Sequence, residues 1–222
     1  MDLEEHNTAL VITDPQNDFL SEAGVTWSLV GDSVKENKTI ANIERLLKAA
    51  KHNGFEVFIS PHYYYPTDRE WKFGGTTENL MHQIKMYERK SALSLEGFEG
   101  SGADWFERFK PYIEDGKTIV AGPHKIYGPQ SNDLVLQLRK RNIRRVILAG
   151  MSANLCVEAH LRELVEQGFE VVVVKDATAG ARHPELGDGY EAALVNFGYI
   201  ASAVLSTDQV VEAMSQARLA AV

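Results

Sequence analysis

The sequence predicts an α/β protein: a doubly wound, six-stranded, mostly parallel sheet with helices on both faces. Three observations point there. Short apolar runs bounded by turn signals recur along the 222 residues. Most are followed by a segment whose apolar residues repeat with helical period. The runs are apolar nearly throughout rather than alternating, which marks strands buried on both faces.

The elements follow in order. Residues 8–13, TALVIT, read as the first strand. Residues 36–53 place Ile40, Ile43, Leu46, Leu47 and Ala50 on one helical stripe, and Gly54 stops it. Residues 55–60 and 117–122 read as strands two and three. Residues 132–141 read as a helix with Leu134 and Leu138 inward, and 144–150 as strand four. Residues 154–167 are helical up to Gly168, and 170–175 form strand five. Residues 190–196 belong to a helix, and 199–206 hold strand six. Residues 207–219 close the chain as a helix, with Ser206 as N-cap and Gln209 completing a capping box.

The whole, 1–222, reads as a single domain. Its exception is a long excursion at about 61–116, rich in aromatics and glycines, with helical pieces at 79–88 and 103–109. Long excursions in such folds often shape a site.

Composition narrows the function classes. Hydrophobic residues make up 44% and charged residues 24%, ordinary for a soluble globular chain. The net charge of -8 argues against a nucleic-acid partner. The basic run at Arg139, Lys140, Arg141, Arg144 and Arg145 reads as a solvated helix end, where cations are favoured. A single cysteine forms no internal disulfide and gives no sign of secretion. The opening MDLEEHNTALVITD lacks a signal pattern, and no apolar run nears the ~20 residues of a membrane span. The expectation is a cytoplasmic protein acting on a small molecule, with neither nucleic acid nor membrane as partner.

In open parallel sheets, ligands bind beyond the carboxyl ends of the strands, where strand order reverses. Three reactive side chains fall there. Asp14 ends strand one in TDPQNDF, Lys125 follows strand three in AGPHKIYG, and Cys156 follows strand four in AGMSANLCVEAH. A helix N-terminus and a nearby cation both lower a thiol from its usual ~8.5. Asp14 would take the thiol proton and later hand it to a leaving amine. Backbone N–H groups of the MSANLC turn would face an oxyanion.

Each residue also has a plain reading. A free cysteine is commonly core, Asp-Pro opens turns, and a lone lysine sits on a surface. The coincidence of all three at strand ends favours chemistry. His160 lies four residues after Cys156 on the same helix face, where a Cys–His dyad is conceivable, but its rise of about 6 Å carries it away from the cleft, so a plain helix-surface or packing role is expected. His124 lines the pocket or is satisfied structurally. Tyr63, Tyr64, Tyr65, Trp71 and Phe73 wall the site, form a subunit contact or pack in the core. No G-x-G-x-x-G follows a strand, so a dinucleotide is unsupported.

These segments resemble the isochorismatase-like cysteine hydrolase superfamily. DPQNDF is similar to its D-x-Q-x-D-F, HKIYGPQSNDL to the segment around its lysine, and GMSANLCVEAH to its cysteine motif. The resemblance implies a strand order of 3-2-1-4-5-6 and a triad of Asp14, Lys125 and Cys156. It implies an oxyanion hole from the N–H groups of Ser152 and Cys156, with a non-proline cis peptide between Met151 and Ser152. Phe19 matches an aromatic beside the substrate, and Trp71 and Tyr127 are further candidate contacts. A homodimer or homotetramer is expected.

The metal-binding D-x-H of nicotinamidases is missing from SPHYYYPTD, and His62 alone is a poor ligand set, so no metal or other cofactor is expected. Retention of Cys156 tilts the reading toward C–N cleavage of a small amide or carbamoyl compound through a thioester. The alternatives are vinyl-ether hydrolysis of the isochorismatase type and a non-catalytic small-molecule binder.

Overall fold

The apolar runs become the middle layer of the molecule. A computed structural model describes residues 3–220; the outermost two residues at each end of the expected 1–222 domain lie outside the described residues. The strands are β1 (Thr8–Thr13), β2 (Glu56–Ser60), β3 (Ile119–Val120), β4 (Arg145–Met151), β5 (Glu170–Ala179) and β8 (Ala203–Leu205). They form one sheet in the order β3-β2-β1-β4-β5-β8, with every neighbouring pair parallel. This is the expected order. The sixth strand takes the number eight because a small antiparallel ribbon, β6 (Arg182–His183) and β7 (Gly187–Asp188), precedes it.

The helices are α1 (Asn17–Leu20), α2 (Trp27–Glu36), α3 (Thr39–His52), α4 (Thr76–Gln83), α5 (Lys110–Ile113), α6 (Leu134–Lys140), α7 (Glu158–Glu166), α8 (Gly189–Ile200) and α9 (Thr207–Ala220). Successive strand residues face opposite sides of a sheet. Leu10, Ile12, Ile147, Ala149, Val172 and Val174 therefore pack with α2, α3 and α9 in one core. Ala9, Val11, Val146, Leu148, Val171 and Val173 pack with α6, α7 and α8 in the other. Burying each large aliphatic side chain is worth about 1.5–3 kcal/mol, so two fully covered faces drive the architecture.

Several boundaries differ from the sequence reading. Helix α2 was not expected, because its buried face holds only Val30, Gly31, Ser33 and Val34 and leaves a short apolar stripe. Strand β3 shrinks to two residues at the sheet edge. The run YIASAVLS divides: α8 continues through Ile200, and only Ala203–Leu205 pair in the sheet. Strand β5 runs on to Ala179, its late carbonyls accepting from Asn37, Thr39 and Asn42. The capping box at α9 forms: Gln209 Oε1 accepts from Ser206 N at 2.9 Å, and Ser206 Oγ from Gln209 N at 3.3 Å. The basic run splits into separate partners, Arg141 with Glu56 and Arg145 with Glu170, while Arg139 covers the Phe169 ring.

The excursion is tied back to the sheet by the DPQNDF segment. Gln16 Nε2 donates to His62 O at 2.9 Å and Ala103 O at 2.8 Å, and its Oε1 accepts from His62 N at 3.0 Å. The buried Asp18 carboxylate accepts from Tyr87 N at 2.7 Å and Val25 N at 3.3 Å. The expected helical pieces shift. The first becomes α4, and 103–109 yields only a 3-10 turn, Glu107–Phe109, before α5.

Gly150 lets β1 and β4 close on each other at their carboxyl ends. Its φ is +115°, and a Cβ there would stand 2.1 Å from the Thr13 carbonyl oxygen. Both the dihedral and the contact exclude a side chain. Gly150→Ala is expected to lower stability by more than about 3 kcal/mol, read as a shift in the urea midpoint at unchanged m value.

Candidate active site

The reversal of strand order falls between β1 and β4, and the site lies beyond their carboxyl ends. Parallel pairing sets Thr13 opposite both Ser60 and Gly150, so the residues that follow three different strands meet. Asp14 turns out of β1 with φ 47°, its N–H held by Ser60 O at 3.1 Å. Left-handed backbone is uncommon outside glycine but accessible to aspartate.

After β4 the Met151–Ser152 peptide is cis, as the resemblance implied. The chain then makes a π-helical turn, Ala153–Val157, closed by Val157 N on Ser152 O at 3.1 Å, and continues as α7. The backbone N–H groups of Ser152 and Cys156 favour the Cys156 thiolate.

Asp14, His62, His124 and Cys156 converge here, with one ligand-capable atom from each within 4.8 Å of all the others. Asp14 and Cys156 thus come together as expected. Lys125 does not join them. Its Nζ bonds Asp68 Oδ2 at 2.6 Å and Tyr63 O at 3.1 Å, and it lies over the Tyr65 ring. The group facing Asp14 is His124, whose Nε2 lies 2.7 Å from Asp14 Oδ1. Parallel bridging of His62 with His124, and His124 N bonded to Pro61 O at 2.9 Å, register this segment against the chain after β2. That register turns His124 inward and leaves its neighbour Lys125 aimed elsewhere. The premise that His62 stands alone is likewise overturned, since three other ligand-capable groups surround it.

Hydrogen bonding assigns the imidazole tautomers. His62 Nε2 donates to Lys125 O at 3.0 Å, which leaves Nδ1 with a lone pair. His124 Nε2 donates to the Asp14 carboxylate, leaving its Nδ1 likewise free to accept. His160 Nδ1 donates to Cys156 O at 2.7 Å, and its Nε2 accepts from Ser60 Oγ at 2.8 Å. Ser60 Oγ in turn accepts from Asn132 Nδ2 at 2.9 Å. His160 therefore holds the cysteine backbone rather than its sulfur, which fits the packing role expected.

Burial governs the charges. It pushes His62, His124 and His160 down to about 3, so all three are neutral at ordinary pH. It pushes Asp14 up to about 6, against His62 and the Cys156 thiol, which lower it. Burial and the Asp14 charge hold Cys156 well above the usual thiol range, although the two backbone N–H groups oppose them. The resting pocket therefore holds a thiol, and Asp14 is the group that ionises near neutral pH.

The sulfur does not open onto a cleft: Cys156 is 3% exposed. Its Sγ approaches Ile126 O at 4.0 Å, and the next residue, Tyr127, is half-buried, its hydroxyl held toward the neutral form by burial while Thr77 of α4 opposes this. Tyr64 and His82 pack at 4.4 Å between ring centroids, and Trp71 meets both edge-on while remaining 41% exposed. Phe19 is buried against Tyr87. Tyr63 and Tyr64 are buried, whereas Phe73 is almost fully exposed. Sequence reasoning missed Gln16 as a clamp and His62 as a member of the pocket, and it offered a pocket position for His124 only beside a structural one. The only available signal was that four histidines, at 62, 82, 124 and 160, fall in segments that lead to this edge of the sheet.

Fold and site define a doubly wound α/β protein with a buried carboxylate–thiol pocket at its switch point. The Isochorismatase domain family model matches residues 8–209, and the chain belongs to that family of hydrolases. The chain is 29% identical over 204 residues to ureidoacrylate amidohydrolase RutB of Pseudomonas savastanoi pv. phaseolicola, covering 88% of this chain and 80% of that protein. A cysteine hydrolase from Pseudomonas syringae pv. phaseolicola 1448A superposes with a TM-score of 0.79 at 20% identity, over 98% of this chain and 96% of the other. N-carbamoylsarcosine amidase from Thermoplasma acidophilum gives 0.67 at 17% identity, over 91% and 97%. Among the described residues, no helix is long and apolar enough to cross a membrane.

The buried Asp14 carboxylate makes a prediction about stability. Its folded pKa, about 6, lies above the ordinary 3.8, so the fold prefers the protonated acid. Stability from this group is complete below about pH 4 and is lost as pH rises through about 6, a cost on the order of 3 kcal/mol. Asp14→Asn removes that titration. The stability of the variant relative to wild type should therefore climb between pH 4 and 6 and then level off, as read by urea unfolding across that range.

Proposed function

We propose that this chain hydrolyses a C–N bond of a small amide or carbamoyl compound through a thioester on Cys156. One observation carries the reading: Asp14 and Cys156 share a buried pocket at the carboxyl ends of β1 and β4. Ionised Asp14 takes the thiol proton as the sulfur attacks the carbonyl carbon. The N–H groups of Ser152 and Cys156 receive the developing oxyanion, a contribution of about 3 kcal/mol per donor in other enzymes. Asp14 then passes its proton to the departing nitrogen. A water deprotonated by Asp14 attacks the thioester, and the sulfur recovers the proton.

His124, through Nε2 on Asp14 Oδ1, positions the carboxylate in the place assigned by resemblance to Lys125. The relatives named as ureidoacrylate amidohydrolase and N-carbamoylsarcosine amidase support an amide or ureido substrate class.

Substrate reaches the sulfur when the roof made by α4 and Tyr127 lifts. Residues 71–76 leading into α4 are all exposed and include Gly74 and Gly75, a segment able to absorb the motion.

A panel of small amides, ureido acids and carbamoyl compounds, with ammonia release as readout, identifies the substrate. Mass spectrometry during turnover should trap an acyl adduct on Cys156, and Cys156→Ala should lose at least about a thousandfold in kcat. Full turnover by that variant refutes the reading. Because Asp14 must be ionised, kcat/KM should fall about tenfold per pH unit below about 6.

The two neighbours at 124 and 125 separate cleanly. His124→Gln should lower kcat at least about tenfold. Lys125→Met, which removes a contact to Asp68, should stay within about threefold in kcat. Steady-state kinetics of the pair shows which residue serves the carboxylate.

A further inference from the structure

We propose that Tyr64 and Tyr87 hold a second polar group of the substrate, and that the pocket selects an uncharged amide or carbamoyl compound over one that carries a carboxylate. The inference rests on the hydrolase reading and narrows the class of substrate within it. Both phenol rings are buried, Tyr64 at 2% exposure and Tyr87 at 0%, and neither hydroxyl has a hydrogen-bond partner among the described residues. Buried polar atoms ordinarily find partners, tyrosine hydroxyls included. Two unpartnered phenols beside one pocket point to a ligand that completes them.

Their placement ties them to the reacting groups. The His62 ring, a member of the Asp14–Cys156 cluster, packs against Tyr64 at 4.6 Å and against Tyr87 at 5.0 Å between centroids. Burial holds both phenols above their usual range, and the Asp14 and Cys156 charges add to it at each. The hydroxyls therefore keep their protons and serve as donors. Tyr64 N donates to Tyr87 O at 3.0 Å, and Arg89 N donates to Tyr64 O at 2.8 Å, which sets the two tyrosines in register on neighbouring segments. Tyr87 takes a left-handed backbone, φ 55°, that bulky side chains seldom adopt. The buried Asp18 carboxylate holds it there, accepting from Tyr87 N at 2.7 Å.

The donors and acceptors describe the ligand. In the hydrolase reading the N–H groups of Ser152 and Cys156 serve the scissile carbonyl. Tyr64 and Tyr87 add two O–H donors for a second acceptor, and His62 Nδ1, also unpartnered, accepts an N–H. A ureide or a diamide presents that pattern. A carboxylate does not suit the charge. Asp14 is ionised for the reaction, and the buried Glu78 carboxylate acts on the Tyr64 hydroxyl. The Lys125 charge is felt at His62, but its ammonium is bonded to Asp68. A further anion in the closed pocket would be buried beside like charge with no free cation to meet it, which is costly.

Two matched pairs test this: N-carbamoylglycinamide against N-carbamoylglycine, and malonamide against malonamate. The wild-type protein should favour the uncharged member at least about tenfold in kcat/KM. Cys156→Ala, which forms no thioester, should bind the uncharged member at least about tenfold more tightly by calorimetry. Tyr64→Phe and Tyr87→Phe each remove one oxygen and keep the ring. Each should raise KM for the uncharged compound at least about fivefold while kcat changes less. Because the lost hydroxyl has no partner, neither variant should lower the urea midpoint, whereas loss of a structural hydroxyl would. Equal or better use of the acid by the wild-type protein overturns the inference. So does an unchanged KM, or a lowered midpoint, in both phenylalanine variants, and so does failure of Cys156→Ala to bind any of the four compounds.

The two readings fail separately. Turnover through a Cys156 adduct with the acid preferred sinks the inference and leaves the hydrolase reading intact. Tighter binding of the uncharged compounds in a protein that forms no adduct with any amide supports the selectivity and removes the hydrolase reading.

Discussion

Everything in the pocket depends on the parallel pairing of β1 with β4. That ladder sets Thr13 level with Gly150, and the missing side chain at Gly150 lets the two strands end in contact. Asp14 and the turn that carries Cys156 then leave the sheet side by side, although 142 positions separate the two residues in sequence numbering. The hydrophobic faces above and below supply the energy that holds this register. A one-residue slip would send each apolar side chain to the opposite core and move the carboxylate away from the sulfur.

A second constraint follows from burial. A carboxylate and a thiol have been taken out of water without an ammonium between them, and the histidines around them are neutral. The result is a pocket whose chemistry turns on one proton shared by Asp14 and Cys156. Such an arrangement suits attack on a neutral carbonyl, where the thiolate need exist only as the new bond forms.

The excursion after β2 shows how a loop rich in aromatics becomes part of the site. Gln16 and Asp18, in the segment just beyond Asp14, bind its backbone at His62, Ala103 and Tyr87. The turn that carries Cys156 is similarly tied down from below, since His160 secures the Cys156 carbonyl and is itself secured through Ser60 and Asn132.

The alternation of buried strands with amphipathic helices was legible because each pattern depends on residues close together in sequence. So were the turn after β4 and the carboxylate after β1, since strand ends mark a site in any open parallel sheet. The sequence by itself determined the layers, the strand ends, and Asp14 and Cys156 as the residues delivered to them. Only the tertiary structure decided between His124 and Lys125. Adjacent residues on an extended segment point in opposite directions, and which one faces inward depends on the bridge to His62, a contact between segments about sixty positions apart. The closed roof and the convergence of His62 with the other three ligand-capable groups were hidden for the same reason. They are distances between remote pieces of chain, and local periodicity carries no record of them.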